Sequence, residues 1–177
     1  MNRASAVSVV AMLVALFAVL TALFAVFRPE TVTPEVRGAA AARQAAIQSQ
    51  QLLLHMVLYQ RYAEKAQTAA EADNWPLAAF YAARIQENTE RLIDSRITLR
   101  EVDISAIAAE VAMPRAQNLR AAARTGDRAR FDSTYALMLD GCNACHKRSG
   151  HRFIQVGVPG AGGSSHSFAP IPGLRPE

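Results

Sequence analysis

Residues 127–148 read DRARFDSTYALMLDGCNACHKR, and the reading of the whole chain starts from them. Asp127 follows Gly126 and suits a helix N-cap, because its short carboxylate can accept from backbone N–H groups that the first turn leaves unpaired. Behind it Phe131, Tyr135, Met138, Cys142 and Cys145 step by four and three, the spacing that lines one face of an α-helix. The pattern predicts a last helix that carries both cysteines toward a core.

The same period recurs upstream. Thr33-Pro34-Glu35 reads as a cap with proline in the first turn, and no Gly or Pro follows from Ala39 to Asn74, which predicts one long helix. Its stripe is Leu52, Met56, Tyr59, Ala63, Ala66 and Ala70. Asp73 and Asn74 end it and, with Pro76, open a second helix bearing Leu77, Tyr81, Ile85, Asn88 and Leu92. That helix should stop between Arg96 and Val102. A third runs from about Asp103 or Ser105 to Thr125-Gly126, and Pro114 inside it should kink or divide it, since proline lacks a donor and clashes with the preceding turn. No alternating β-branched run and no Asn-Gly hairpin signal is present. The expectation is an all-α domain over residues 34–158, an antiparallel up-down-up-down four-helix bundle. A Gly, Pro and Ser-rich extended tail occupies residues 159–177.

The N-terminal residues 1–30 stand apart. Between Arg3 and Arg28 lie 24 uncharged residues, enough at about 1.5 Å per residue to cross a hydrocarbon core of roughly 30 Å. Residues 4–27 are therefore expected to be a membrane anchor. A cleaved signal peptide is the alternative, which would leave the protein soluble in the periplasm; the run is longer than the usual apolar region of a signal and lacks a small-x-small close. The other 150 or so residues allow one core-bearing domain, too little for a two-domain enzyme. The 177-residue chain has 19 Lys plus Arg against 15 Asp plus Glu and is 51% hydrophobic, which is too apolar for an intrinsically disordered polymer. Its cations are dispersed, with no run of like charge, so nucleic-acid binding lacks its electrostatic footprint.

Chemistry is concentrated in Cys142-Asn143-Ala144-Cys145-His146, the C-x-x-C-H pattern of covalent c-type haem attachment. Two thiols three residues apart lie on one side of a helical turn and can each form a thioether with a vinyl group, while the adjacent imidazole coordinates iron. Cys142, Cys145 and His146 are thus the expected holders of haem c. Three other readings fit less well. Structural zinc wants four ligands, and the chain has no second cysteine pair. A thioredoxin-like pair wants a βαβ setting. A disulfide would close only a tiny loop and leave His146 without a role. Haem attachment of this kind takes place on the outer face of a bacterial energy-conserving membrane, which places the expected bundle in the periplasm behind an inner-membrane anchor.

With its late motif and the Gly126-Asp127 start of the last helix, the chain over residues 35–158 resembles the class II c-type cytochromes, the cytochrome c prime-like four-helix bundles. That resemblance implies a monohaem protein, often a homodimer, whose sixth iron position is either filled for electron transfer or open for small gases. The sixth ligand can be sought by spacing. In an up-down-up-down bundle the end of the first helix and the start of the last share one end. Cys142 to His146 fall 15 to 19 residues after Asp127, and the same count back from Asp73 reaches residues 54 to 58, both about 25 Å from the shared end. His55 and Met56 sit at that level, and His55 is taken as the distal iron ligand, with Met56 or an open face as alternatives. Met113 lies at a poorer level and Met138 on the wrong helix. His151 and His166 are read as propionate-facing or exposed, Lys147, Arg148 and Arg152 as favourable cations at a helix C-terminus, and Tyr59, Tyr62, Phe80 and Tyr81 as core aromatics. The expected activity is single-electron transfer between a membrane donor and a redox partner protein, with no substrate turned over and no enzyme chemistry. A five-coordinate haem protein binding nitric oxide or carbon monoxide is the alternative.

Overall fold

A computed structural model describes residues 3–26 and 33–158, with side chains described from residues 11–25 and 33–158. The described residues are all-α apart from one very short hairpin. It divides into two compact units, residues 1–41 and 42–177.

In the first unit, α1 spans Arg3–Val26. Among the described residues no helix is long and apolar enough to cross a membrane. The expected span 4–27 includes residues 4–10, 26 and 27, whose side chains lie outside the described residues. The expected tail 159–177, with His166, lies outside them as well.

Helix α2 runs over Pro34–Glu71 and is a single uninterrupted helix, as the absence of breakers required. Its start uses the anticipated cap: the Val36 N–H donates to Thr33 Oγ1 at 3.4 Å. Asn74 caps α3, Trp75–Asp94, accepting from the Leu77 N–H at 3.2 Å, and Asp127 caps α6, Arg128–Arg148, accepting from the Arg130 N–H at 3.0 Å. Gly126 adopts φ 69° where α5, Met113–Thr125, ends, a left-handed conformation that glycine takes without strain. Packed on the Gly126 Cα is the ring of Trp75, which also meets Phe131 edge-on with centroids 5.9 Å apart.

The third helical segment is divided as Pro114 demanded, and the division has a particular form. A single α-helical turn α4, Ile104–Ile107, passes into a π-helical turn over Ala108–Ala112, and α5 restarts at Met113 with Pro114 in its first turn. One turn of wider pitch absorbs the donor that proline lacks.

The hairpin was not expected. Thr98–Leu99 (β1) pairs antiparallel with Val102–Asp103 (β2). Two-residue strands are too short for a period to register, and the turn residues Arg100 and Glu101 take φ 47° and 66°, the left-handed geometry that Asn-Gly normally advertises. Ser105 ties the hairpin down: its buried hydroxyl accepts from the Ile97 N–H and donates to the Leu92 carbonyl.

Within the second unit α3 packs on α5, and α5 on α6. Helix α2 runs antiparallel beside α3, since His55 meets Asn88 while Tyr62 stacks on Tyr81. Alanines 63, 66, 70, 78, 82, 116 and 123 are buried in one core cluster with Ile85, Leu119, Phe131 and Tyr135. Small side chains let helix backbones approach closely, and the aromatics of α6 fill what remains. A second cluster gathers Leu92, Ile97, Ile104 and Ala108, with Leu52 and Met56 packed against it.

Candidate haem-attachment site

Between the two core clusters lies an apolar cavity of about 290 Å³, near the lower end of the roughly 300–1,000 Å³ typical of ligand pockets. Its wall draws Ile85 and Met138 from one cluster and Leu92 and Ala108 from the other. Cys142, Cys145 and His146 all line it. The helical spacing of four and three therefore does what the sequence suggested, bringing both thiols and the following imidazole to one wall.

Both cysteines are free thiols and part-buried. Burial pushes the Cys142 thiol up from an ordinary value of 9.0 to about 12, with the neighbouring Cys145 adding to the rise. Cys145 is raised too, again chiefly by burial, with Arg148 opposing. At neutral pH both are protonated. Both thiols thus line the apolar slot in their uncharged form. Among the described residues no group of three or more His, Cys, Asp or Glu is placed to hold a metal ion. That absence concerns cages built from protein side chains alone and does not bear on a haem, in which the porphyrin supplies four of the iron's ligands.

His146 is held by the segment that follows it. Its Nδ1 lies 3.0 Å from the Ile154 carbonyl oxygen, an acceptor, so Nδ1 carries the proton and donates. In the neutral ring Nε2 is then the unprotonated nitrogen, and a ligand histidine is normally oriented in this way by a carbonyl or carboxylate on its other nitrogen. Ile154 and Val156 also border the cavity. The carboxamide of Asn143 grips the same segment twice: Nδ2 donates to the Val156 carbonyl and Oδ1 accepts from the Val156 N–H, both at 2.9 Å.

On α2 the level count of residues 54 to 58 is met by Met56 and Val57, which line the cavity facing the cysteines together with Leu53 and Gln60 just beyond that window. His55 does not border it. Instead, His55 turns toward α3, where its Nδ1 lies 2.9 Å from Asn88 Oδ1 while Asn88 Nδ2 donates to the His55 carbonyl. The second bond fixes the amide orientation, so Oδ1 is the acceptor and His55 Nδ1 the donor. Asn88 is fully buried. Spacing along a helix gives the axial level of a residue but its azimuth only coarsely, and His55 sits about 100° from Met56 around α2.

Other residues find the following places. Tyr59 lines the cavity and donates to Thr89 Oγ1, and burial holds its phenol far above the usual range. Met138 lines the cavity and Met113 does not. His151 Nδ1 lies 3.2 Å from Ser149 Oγ. Arg148 pairs with Glu110 at 3.0 Å, and Lys147 and Arg152 are exposed. Three parts of the site went unread in the sequence: Asn143, hidden at a variable position of the motif; the Ile154–Val156 strap; and the π-helical turn, which supplies Ala108 and Ala112 to the wall. A clue to the strap was available in the largely apolar Phe153-Ile154-Gln155-Val156, separated from the motif by six residues.

No protein-family model, curated protein or solved structure matches this chain. The site is accordingly interpreted from its own residues.

Proposed function

We propose that this chain is a monohaem c-type cytochrome of the class II kind that passes single electrons between a membrane donor and a redox partner protein. Its haem domain is read as an up-down-up-down four-helix bundle facing the periplasm, anchored in the inner membrane by residues 4–27. The observation that carries the proposal is the convergence of Cys142, Cys145 and His146 on one apolar cavity, with the His146 proton committed to Ile154. Cys142 and Cys145 would hold haem c through thioethers, and His146 would be the proximal ligand. When bound, the haem supplies a one-electron ferric/ferrous couple. The chain orients the imidazole, keeps water from the ring with apolar walls, and holds its thiols neutral until they are consumed.

For the sixth position the geometry favours Met56, which lines the cavity opposite the motif helix, over His55, which does not border it and is engaged by Asn88. A filled sixth position suits electron transfer because the iron need not change its coordination.

The test is expression with c-type maturation machinery, followed by intact mass and absorption spectra. One haem retained under denaturing conditions, and lost from the double variant Cys142→Ser/Cys145→Ser, is the expected result. Low-spin spectra that turn high-spin in Met56→Ala and not in His55→Ala would place Met56 on the iron, and the converse would place His55 there. A high-spin parent would favour the gas-binding alternative. A colourless protein sinks the proposal.

A further inference from the structure

The residues after the motif helix turn back as a strap. The His151 N–H donates to the His146 carbonyl at 2.7 Å, the Ile154 N–H to the His151 carbonyl at 2.9 Å, and the strap then runs to Val156, which packs against the main core cluster. Only one side chain of α6 grips its far end by paired hydrogen bonds: Asn143, whose carboxamide reproduces with Val156 the donor-plus-acceptor pairing of two neighbouring strands. Both bonds have determined polarity, because the Val156 carbonyl can only accept and its N–H can only donate. Between these two anchors sits Ile154, and its carbonyl takes the His146 proton.

We infer that Asn143 is a positioning residue for the axial ligand. It acts through the strap, holding the Ile154 carbonyl at His146 Nδ1 and so setting the tautomer, the ring plane and the electron-donating strength of that imidazole. The inference rests on the cytochrome reading given above. The C-x-x-C-H pattern places no demand on its second residue, and this chain uses that position to brace the fifth. An imidazole that donates firmly through Nδ1 is the more basic ligand at Nε2, and a more basic ligand favours the ferric over the ferrous ion. Releasing the strap should therefore raise the reduction potential. Covalent haem would remain, since neither thioether involves Asn143.

The experiment compares the matured full-length parent with Asn143→Leu, of similar volume but unable to clamp, and Asn143→Gln, which keeps the carboxamide on a longer arm. Phe153→Ala is the control within the strap, because Phe153 is 54% exposed and donates nothing to His146. Expected are one haem in every protein, an upward shift of midpoint potential in Asn143→Leu, a smaller shift in Asn143→Gln, and none in Phe153→Ala. The haem-methyl proton shifts of the oxidised protein, which follow the orientation of the axial imidazole, should change in the same order. A merely structural Asn143 would lower the melting temperature without moving potential or methyl pattern, and that result overturns the inference. Should the parent carry no haem, the cytochrome reading falls by itself. The inference is then decided by nitrogen-15 NMR of His146: an Nδ1–H tautomer lost in Asn143→Leu supports it, and an unchanged tautomer refutes it. If Asn143→Leu does not fold, Asn143→Gln decides by the same readouts.

Discussion

Gly141 lies one residue before the C-x-x-C-H motif, inside α6, where glycine normally weakens a helix by about 1 kcal/mol relative to alanine. Replacing it by alanine should stabilise any helix whose surface is free there. Here the opposite is expected. A Cβ on Gly141 would fall 2.5 Å from Arg115 Cδ and 3.0 Å from its Nε, so the Arg115 side chain has to shift. The expected shift sacrifices its 2.7 Å hydrogen bond from Nη1 to the Val111 carbonyl, on the π-helical turn that lines the cavity. Overpacking of this kind costs about 1–3 kcal/mol, and the lost bond adds about 1 kcal/mol for a part-buried donor. Subtracting the helix-propensity gain of about 1 kcal/mol leaves Gly141→Ala destabilised by roughly 1–3 kcal/mol. For a unit of this size that corresponds to a fall in melting temperature of about 3–12 °C. Thermal unfolding of the full chain in detergent, followed by circular dichroism, measures it. The double variant Arg115→Ala/Gly141→Ala removes the clash and keeps the helix-propensity gain, so it should be about 1 kcal/mol more stable than Arg115→Ala alone, giving a coupling of about 2–4 kcal/mol. Gly141→Ala as stable as the parent, or more so, would refute the claim that Arg115 occupies the space over Gly141 at a cost to stability.

Two further outcomes are expected. Asn88→Ala removes two hydrogen bonds to His55 from a fully buried position, and at about 1 kcal/mol per bond plus the space vacated the loss should be about 2–3 kcal/mol; a denaturant midpoint unchanged from the parent would contradict it. With both thiols free, the Cys142 thiol is raised on folding from 9.0 to about 12, so folding favours its protonated form. That contribution to stability is complete below pH 9.0 and is lost as pH climbs toward about 12. Over the same window iodoacetamide should alkylate the native protein more slowly than the denatured one, and equal rates would show that the thiol is not shielded.

The sequence carried the helices well because their signals are local. Thr33, Asn74, Asp127 and Gly126 act on backbone groups within a few residues, and each caps or ends a helix where its type predicts. Pro114 announced a division by the same logic, since a missing donor is felt within one turn. The hairpin at residues 98–103 escaped because Arg100 and Glu101 occupy a turn that glycine and asparagine usually mark. Its conformation is imposed by Ser105 and Leu92, contacts that have no local signature.

For the site, helical spacing alone brought Cys142, Cys145 and His146 to one wall, and counting along α2 reached Met56 and Val57 on the wall facing them. Which residue at that level borders the cavity was decided by azimuth. Met56 lines the cavity and His55 is drawn aside by Asn88, thirty-three residues away. Periodicity orders residues along a helix axis and sorts them coarsely into faces, so pattern and caps were enough for the helical segments and for the turn that bears the thiols. The partner of each polar side chain depends on how neighbouring helices rotate against one another. Helix packing therefore assigned Asn88 to His55, and the fold-back of the strap assigned Asn143 to Val156 and the Ile154 carbonyl to His146.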